Sequence, residues 1–464
     1  MLTSVSRTRR LVAAVATLPL LAACGSHGAS SDSSSPGDGN AASSSAAASS
    51  SNAPTKTGPT PGSGEREVAK VAPRVLISGE GGGLTLIDGT TGKVVEKEDL
   101  PGFNRLSDAG DGRRVMVSTS KGFQVYDTGI EEQPHGDHNH AYEYEPGLTS
   151  VRYPASHPGH VVAHGGKTVL FGDGAGTIQI VPTEQVGSTV APIQKTKTAS
   201  AHHGVALVLK DGTMLTTQGT EEKRSTVEAR KNGKVVTKTT DCLGVHGETT
   251  AADEAVLFGC EDGPVIYRDG TFHKVAVKDS FARSGNVAGT HESPIVLADY
   301  KTDKDAELER PTQVALIDTR TDKLSLVELG SSYWFRSLAR GPEGEALVVT
   351  YDGKLVVIDS ETGKISKRIP AIDAWKEKKD WQDPGPSIKV ADDQAFITDA
   401  AKKQLVVVDL ESGKVVKRHS LPVTPVEIAV TTGEPAHDHE DESGEGPEGH
   451  DHEGHDDEGH DHEH

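Results

Sequence analysis

The 464-residue chain is poor in sulfur and in aromatic surface, with three cysteines, three methionines and 4% aromatic residues. So few cysteines exclude a disulfide-knotted scaffold and the thiolate-rich zinc folds. No apolar run is long enough to cross a membrane in relaxed form; the best, residues 11–21, falls short. No basic patch suggests nucleic acid. No long amphipathic helix is evident, which argues against an α/β enzyme. No glycine-rich phosphate loop follows a strand and opens a helix, and no nucleophile motif stands out. Lysine and arginine are missing altogether from residues 437–464, where 8 histidines and 13 Asp/Glu stand instead.

That tail cannot form a core. Imidazole and carboxylate are the side chains that hold borderline divalent metals such as Zn²⁺. Its histidines are His437, His439, His450, His452, His455, His460, His462 and His464. Ordering a polar chain around a metal costs entropy, and neighbouring carboxylates favour the protonated imidazole. Tail sites are therefore expected to be weak, several and fast to exchange. The tail also accounts for much of the formal charge of −21; the rest of the chain carries only −8.

The N-terminus reads as an address. Arg7, Arg9 and Arg10 precede the apolar run, which ends in Leu21-Ala22-Ala23-Cys24-Gly25, a sequence that resembles a bacterial lipobox. Residues 1–23 are then a signal peptide, and Cys24 carries the lipid that anchors the chain outside the plasma membrane. Residues 24–70 are a Ser/Ala/Gly tether unable to bury enough surface to fold. The folded region is expected over 71–432, with 433–464 as the tail. Of the remaining cysteines, Cys242 and Cys260 are expected to pair in an oxidising compartment; two thiolate zinc ligands are the alternative.

The middle is a repeat of short strands. Leu84-Thr-Leu-Ile-Asp followed by Gly-Thr-Thr-Gly-Lys recurs as Leu355-Val-Val-Ile-Asp with Ser-Glu-Thr-Gly-Lys. It recurs again as Leu405-Val-Val-Val-Asp with Leu-Glu-Ser-Gly-Lys. A period of about 40–45 residues with four strands predicts an all-β propeller of about eight blades, seven being the alternative. Blades are expected to open near Arg74, Asn104, Ser150, Ala201, Val245, Val287, Ser337 and Ser387. A last strand over 423–430 would close the ring on the first.

One stretch is more specific. It runs from Pro134-His-Gly-Asp-His-Asn-His140 through Pro158-Gly-His-Val-Val-Ala-His164 and Ala201-His-His-Gly. It continues to Asp241-Cys-Leu-Gly-Val-His-Gly-Glu248 and Phe258-Gly-Cys-Glu-Asp-Gly263. This resembles the periplasmic zinc metallochaperones of the AztD type, over about residues 70–430. The resemblance implies an eight-bladed propeller that binds Zn²⁺ and hands it to the solute-binding protein of a zinc ABC transporter.

Propeller sites form at one mouth of the central channel, where loops leading into the innermost strands converge. His164, His202, His203, His246 and His291 each precede a strand and are the candidate zinc ligands, three of which would complete a tetrahedron with a carboxylate or water. Each could instead be a histidine bonded to a loop carbonyl. Glu248, Asp173 and Asp299 are candidate ligands or acceptors that fix imidazole tautomers. His157 and His160 flank a Pro-Gly turn and are read as surface groups. His135, His138 and His140 are read as a capture loop, with Asp137, Glu143 and Glu145 adding charge. His273 and His419 are read as structural. A monomeric, non-enzymatic metal carrier is expected. A metal-dependent propeller hydrolase or lyase, or a protein-binding propeller with a buffering tail, are the alternatives.

Overall fold

The computed structural model describes residues 60–136 and 138–435. The signal segment, Cys24, most of the tether, Asp137 and the tail histidines lie outside the described residues. Among the described residues there are eight four-stranded antiparallel sheets and one three-stranded sheet. Among these residues helical structure is confined to two short 3₁₀ turns, Thr183–Gln185 and Ala252–Glu254. The eight sheets are the blades of a propeller, and innermost strands of neighbouring blades pack against each other round the ring.

Ring closure follows the sequence pattern. Pro425–Thr431 pairs with Arg74–Gly79 and becomes the innermost strand of blade one, so both ends of the repeat share one sheet. The apolar second and third strands of each blade are buried on both faces, as in Arg74–Gly79, while outer strands such as Lys414–Ser420 are largely exposed. The core lies between blades: Leu347, Val349, Leu355 and Val357 pack against Ile388, Ile397 and Val406 of the next blade.

The recurring Asp…Gly-Lys phrase has a local cause. Asp88 Oδ1 accepts from the backbone N–H of Thr90 (3.0 Å) and Thr91 (2.7 Å). Asp359 and Asp409 repeat this with Thr362 and Ser412. Each carboxylate closes a turn on its own backbone. The glycine that follows, such as Gly92 at φ +71°, sits in the left-handed region that other residues resist.

One insertion breaks the period. Blade two comprises Leu106–Asp108, Arg114–Thr119, Gly122–Asp127 and Gly147–Pro154. Between its last two strands the hairpin Ile130–His135 and His138–Glu143 leaves the blade and pairs with Arg66–Val68. The expected opening of blade three at Ser150 therefore falls inside blade two's outermost strand. Blade three begins at Pro158, with strands Pro158–His164, Lys167–Gly172, Thr177–Pro182 and Gln194–Lys197. Blades four and five start on Ala206–Val208 and Glu248–Thr250. Ahead of blade five, Cys242 and Cys260 are both buried, with their sulfurs 2.03 Å apart and Cα atoms 5.0 Å apart.

Candidate metal centre

Three consecutive blades each deliver one histidine to the same channel mouth. His160 lies on the innermost strand of blade three, where pairing with the next strand shifts register between Pro158 and Val161. A bulge at this position re-aims a side chain that regular pleating would direct elsewhere. His203 lies in the loop before Ala206–Val208, and His246 in the loop before Glu248–Thr250. One ring nitrogen from each lies within 4.8 Å of the other two. His160 Nε2 and His203 Nε2 are 3.2 Å apart. Two ligands of a tetrahedral zinc, each about 2.0–2.1 Å from the metal, stand about 3.3 Å apart.

The opposite ring nitrogens fix the tautomers. His160 Nδ1 donates to Glu248 Oε1 at 3.0 Å, His203 Nδ1 to Asp173 Oδ2 at 2.6 Å, and His246 Nδ1 to the Gly285 carbonyl at 2.7 Å. Carboxylates and carbonyls only accept, so each Nδ1 carries the hydrogen in the neutral ring and each Nε2 keeps its lone pair. Outward hydrogen bonds of this kind orient metal-binding imidazoles and raise their basicity. Glu248 is only 7% exposed, and its Oε2 is buried with no hydrogen-bond partner among the described residues. A buried carboxylate oxygen without a donor beside three imidazoles suits a nearby cation.

Support extends further back. Asp299 accepts from the N–H groups of Gly285 (2.6 Å) and Asn286 (3.1 Å), holding the loop whose carbonyl orients His246. His246 N–H bonds to the carbonyl of Gly259, next to Cys260, so the Cys242–Cys260 link braces the His246 loop. Gly204 allows the chain to turn beside His203: a Cβ there would lie 2.4 Å from Phe171 Cζ.

His160 and His246 differ in their hold on a proton. Burial disfavours the imidazolium at His160, but the charge and hydrogen bond of Glu248 outweigh it and raise its pKa. At His246 burial dominates, reinforced by His160 and His203, and pushes the pKa down to about 2. The cluster opens onto a cavity of about 610 Å³ at the channel mouth.

Several sequence expectations are corrected. His160, read as a surface group, belongs to the cluster. His202 does not: it is 2% exposed and uses both ring nitrogens, on the Ser200 carbonyl and on Thr217 Oγ1, each at 3.0 Å. Neighbouring residues in extended chain point opposite ways, so His202 turns into the blade and His203 into the channel. His164 ends the strand on which His160 sits and pairs with Glu254 at 3.1 Å. Four residues along a strand span about 13 Å. His291 lies in the turn between Val287–Thr290 and Ser293–Asp299, at the other end of its blade's first strand, and pairs with Glu292 at 3.0 Å. Both errors have one cause. The strand each residue precedes is its blade's second strand, and in an antiparallel pair the second begins where the first ends. Glu248 and Asp173 stand behind the imidazoles as acceptors, and Asp299 stands further back still.

His135, His138 and His140 form a second cluster on the inserted hairpin, again with one nitrogen each within 4.8 Å. His138 and His140 share a face, and His135 lies directly across from His138. His140 Nδ1 pairs with Glu67 at 2.8 Å, and the cluster is largely solvent-exposed. His157 is exposed. His273 pairs with Asp322, and His419 bonds the Gly89 carbonyl.

Comparison with known proteins agrees with this fold. The chain is 26% identical over 375 residues to the zinc chaperone AztD of Citrobacter koseri, covering 77% of this chain and 87% of that protein. Two solved structures of Citrobacter koseri AztD, one of them the apo form, superpose with a TM-score of 0.67. They are 23% and 24% identical and cover 78% of this chain and 98% of theirs. No family model matches. The likeness read from the sequence thus extends over about three quarters of the chain.

Proposed function

We propose that this protein is an extracytoplasmic zinc chaperone, tethered through Cys24, that takes up Zn²⁺ and delivers it to the solute-binding protein of a zinc ABC transporter. The observation that carries this reading is the convergence of His160, His203 and His246, each with its Nδ1 already committed to an acceptor. Three imidazoles leave one tetrahedral position open. An open position lets an incoming ligand attach before the old ones let go, which suits transfer. Zinc here is cargo, so the protein needs to hold it and release it, not to do chemistry with it.

Capture is assigned to the hairpin histidines His135, His138 and His140 and to the tail, whose role rests on composition alone. Cys242 and Cys260 form a structural disulfide in this reading, suited to the oxidising side of the membrane. Likeness to the Citrobacter zinc chaperone supports the choice of Zn²⁺. The ligand set by itself would also accept Ni²⁺ or Cu²⁺.

Zinc titration of the full chain against a chromophoric chelator tests the assignment. Ala substitution of His203 or His246 is expected to abolish the tightest site and leave the weaker ones. Retention of that site in both variants would place it elsewhere. Transfer is tested by mixing zinc-loaded protein with the transporter's binding protein in excess chelator; a rate no faster than chelator-limited release would refute direct delivery.

A further inference from the structure

The 610 Å³ cavity onto which the three histidines open also has a guanidinium-bearing part of its lining. The residues of that part come from the loops before the innermost strands of blades two and seven. Arg105 immediately precedes Leu106–Asp108, and Arg336 lies just before Leu338–Arg340. The Arg105 guanidinium lies over the Trp381 ring, 5.4 Å from its centroid. Among the described residues its side chain has no hydrogen bond or ion pair. Arg336 is only 7% exposed, sits over Phe335 at 4.7 Å and pairs with Glu427 at 2.6 Å. Its Nη1 donates to the Asp383 carbonyl at 3.5 Å and its Nε is buried, so the Arg336 guanidinium is already engaged.

Each carboxylate that lines the cavity already pairs through one oxygen: Glu248 with His160, Glu427 with Arg336, and Glu309 with Lys301. The cavity therefore holds one unspent guanidinium, that of Arg105, together with a metal site that has an open position. Guanidinium matches a planar carboxylate through paired N–H···O bonds. Carboxylate oxygen is also an ordinary zinc ligand.

We propose that Arg105 anchors a carboxylate in this cavity, and that the carboxylate held there supplies the fourth ligand to the metal on His160, His203 and His246. The inference rests on the zinc reading of those histidines and deepens it: the open position is filled by a group that enters and leaves with its own anchor. Such a carboxylate has two sources, a free or partner-borne one, or an acidic residue of this chain.

The test uses the full chain loaded with one equivalent of Co²⁺, whose visible absorption reports its ligands, and acetate as the probe. Acetate is expected to change the spectrum saturably. The half-saturating concentration should rise about tenfold or more in Arg105→Gln, the loss of one charge-assisted contact, and less in Arg105→Lys. If Arg105→Gln alters the spectrum in carboxylate-free buffer, the chain supplies its own carboxylate; if only the acetate response changes, the source is external. Equal acetate response in wild type and Arg105→Gln would overturn the proposal, as would a spectrum indifferent to both. His203→Ala separates the two levels: a Co²⁺ spectrum that survives it refutes the metal site itself.

Discussion

Glu248→Gln removes one charge behind the metal and leaves the shape of the site nearly unchanged. Its Oε1 lies 3.0 Å from His160 Nδ1. Adding the width of the ring and a zinc–nitrogen bond puts the carboxylate about 7 Å from a bound zinc. A unit charge and a divalent ion at that distance interact by about 1 kcal/mol in a water-like medium and about 5 kcal/mol at an effective dielectric of about 20. Losses of about 10- to 100-fold on removing such supporting groups fall between these limits. The effect has a pH signature because Glu248 also raises the pKa of His160. A proton on His160 competes with zinc, so wild-type affinity falls as pH drops through that raised pKa. His246, with a pKa of about 2, has no proton to displace across that range. Glu248→Gln weakens both competitors at His160. Its deficit should therefore be full at pH 8, near 10- to 100-fold, and smaller at pH 6. Chelator competition at the two pH values measures this. An unchanged affinity at pH 8, or a deficit that grows on acidification, would refute the reasoning.

Adjacent histidines should behave oppositely. His202→Ala breaks one buried and one part-buried hydrogen bond and a ring contact with Phe171, so it should lower stability by about 2–4 kcal/mol with zinc affinity within a few-fold of wild type. His203→Ala should do the reverse, and thermal melts beside zinc titrations separate them. Reducing Cys242–Cys260, 18 residues apart, should cost about 3 kcal/mol and weaken zinc binding through the His246 loop. A reduced protein with native melting and affinity would contradict this. Gly204→Ala places a methyl 2.4 Å from Phe171 Cζ and 2.7 Å from His202 Nε2; it should cost about 1–3 kcal/mol in a denaturant titration.

The blades were legible because their turns are written in the residues: Asp, then Thr or Ser, then Gly-Lys, each with a bond to make. Closure by the last strand was legible from its apolar run. The hairpin was not, because nothing in residues 130–143 distinguishes an excursion from a longer blade; it moved blade two's outer strand to residue 147 and hid where blade three begins. His160 was missed for a related reason. Its strand, Pro158–His164, has a Pro-Gly start and histidine at both ends of a short apolar run, so the stronger Thr168-Val-Leu-Phe looked like the blade's first strand. Pairing of His202 with His203 left open which would face the channel; that depends on packing against Phe171, a contact between blades.

The two histidine clusters use the same residue type and similar spacing, yet should differ in strength. On the hairpin the outer nitrogen of His140 pairs with the carboxylate of Glu67, which is itself exposed. Water screens that pair, and an exposed pair contributes about 0–1 kcal/mol. At the channel mouth all three outer nitrogens are bonded to acceptors, and the acceptors behind His246 are themselves held by Asp299. Less freedom remains to be lost when metal arrives, and the surrounding dielectric is lower. The channel cluster should therefore hold zinc more tightly and the hairpin exchange it faster. Eliminating the hairpin set by His138→Ala with His140→Ala should slow zinc loading at low metal concentration without changing affinity at the channel site. Stopped-flow loading distinguishes the roles: a lowered final affinity with an unchanged rate would mean that the hairpin, and not the channel mouth, is the place of storage.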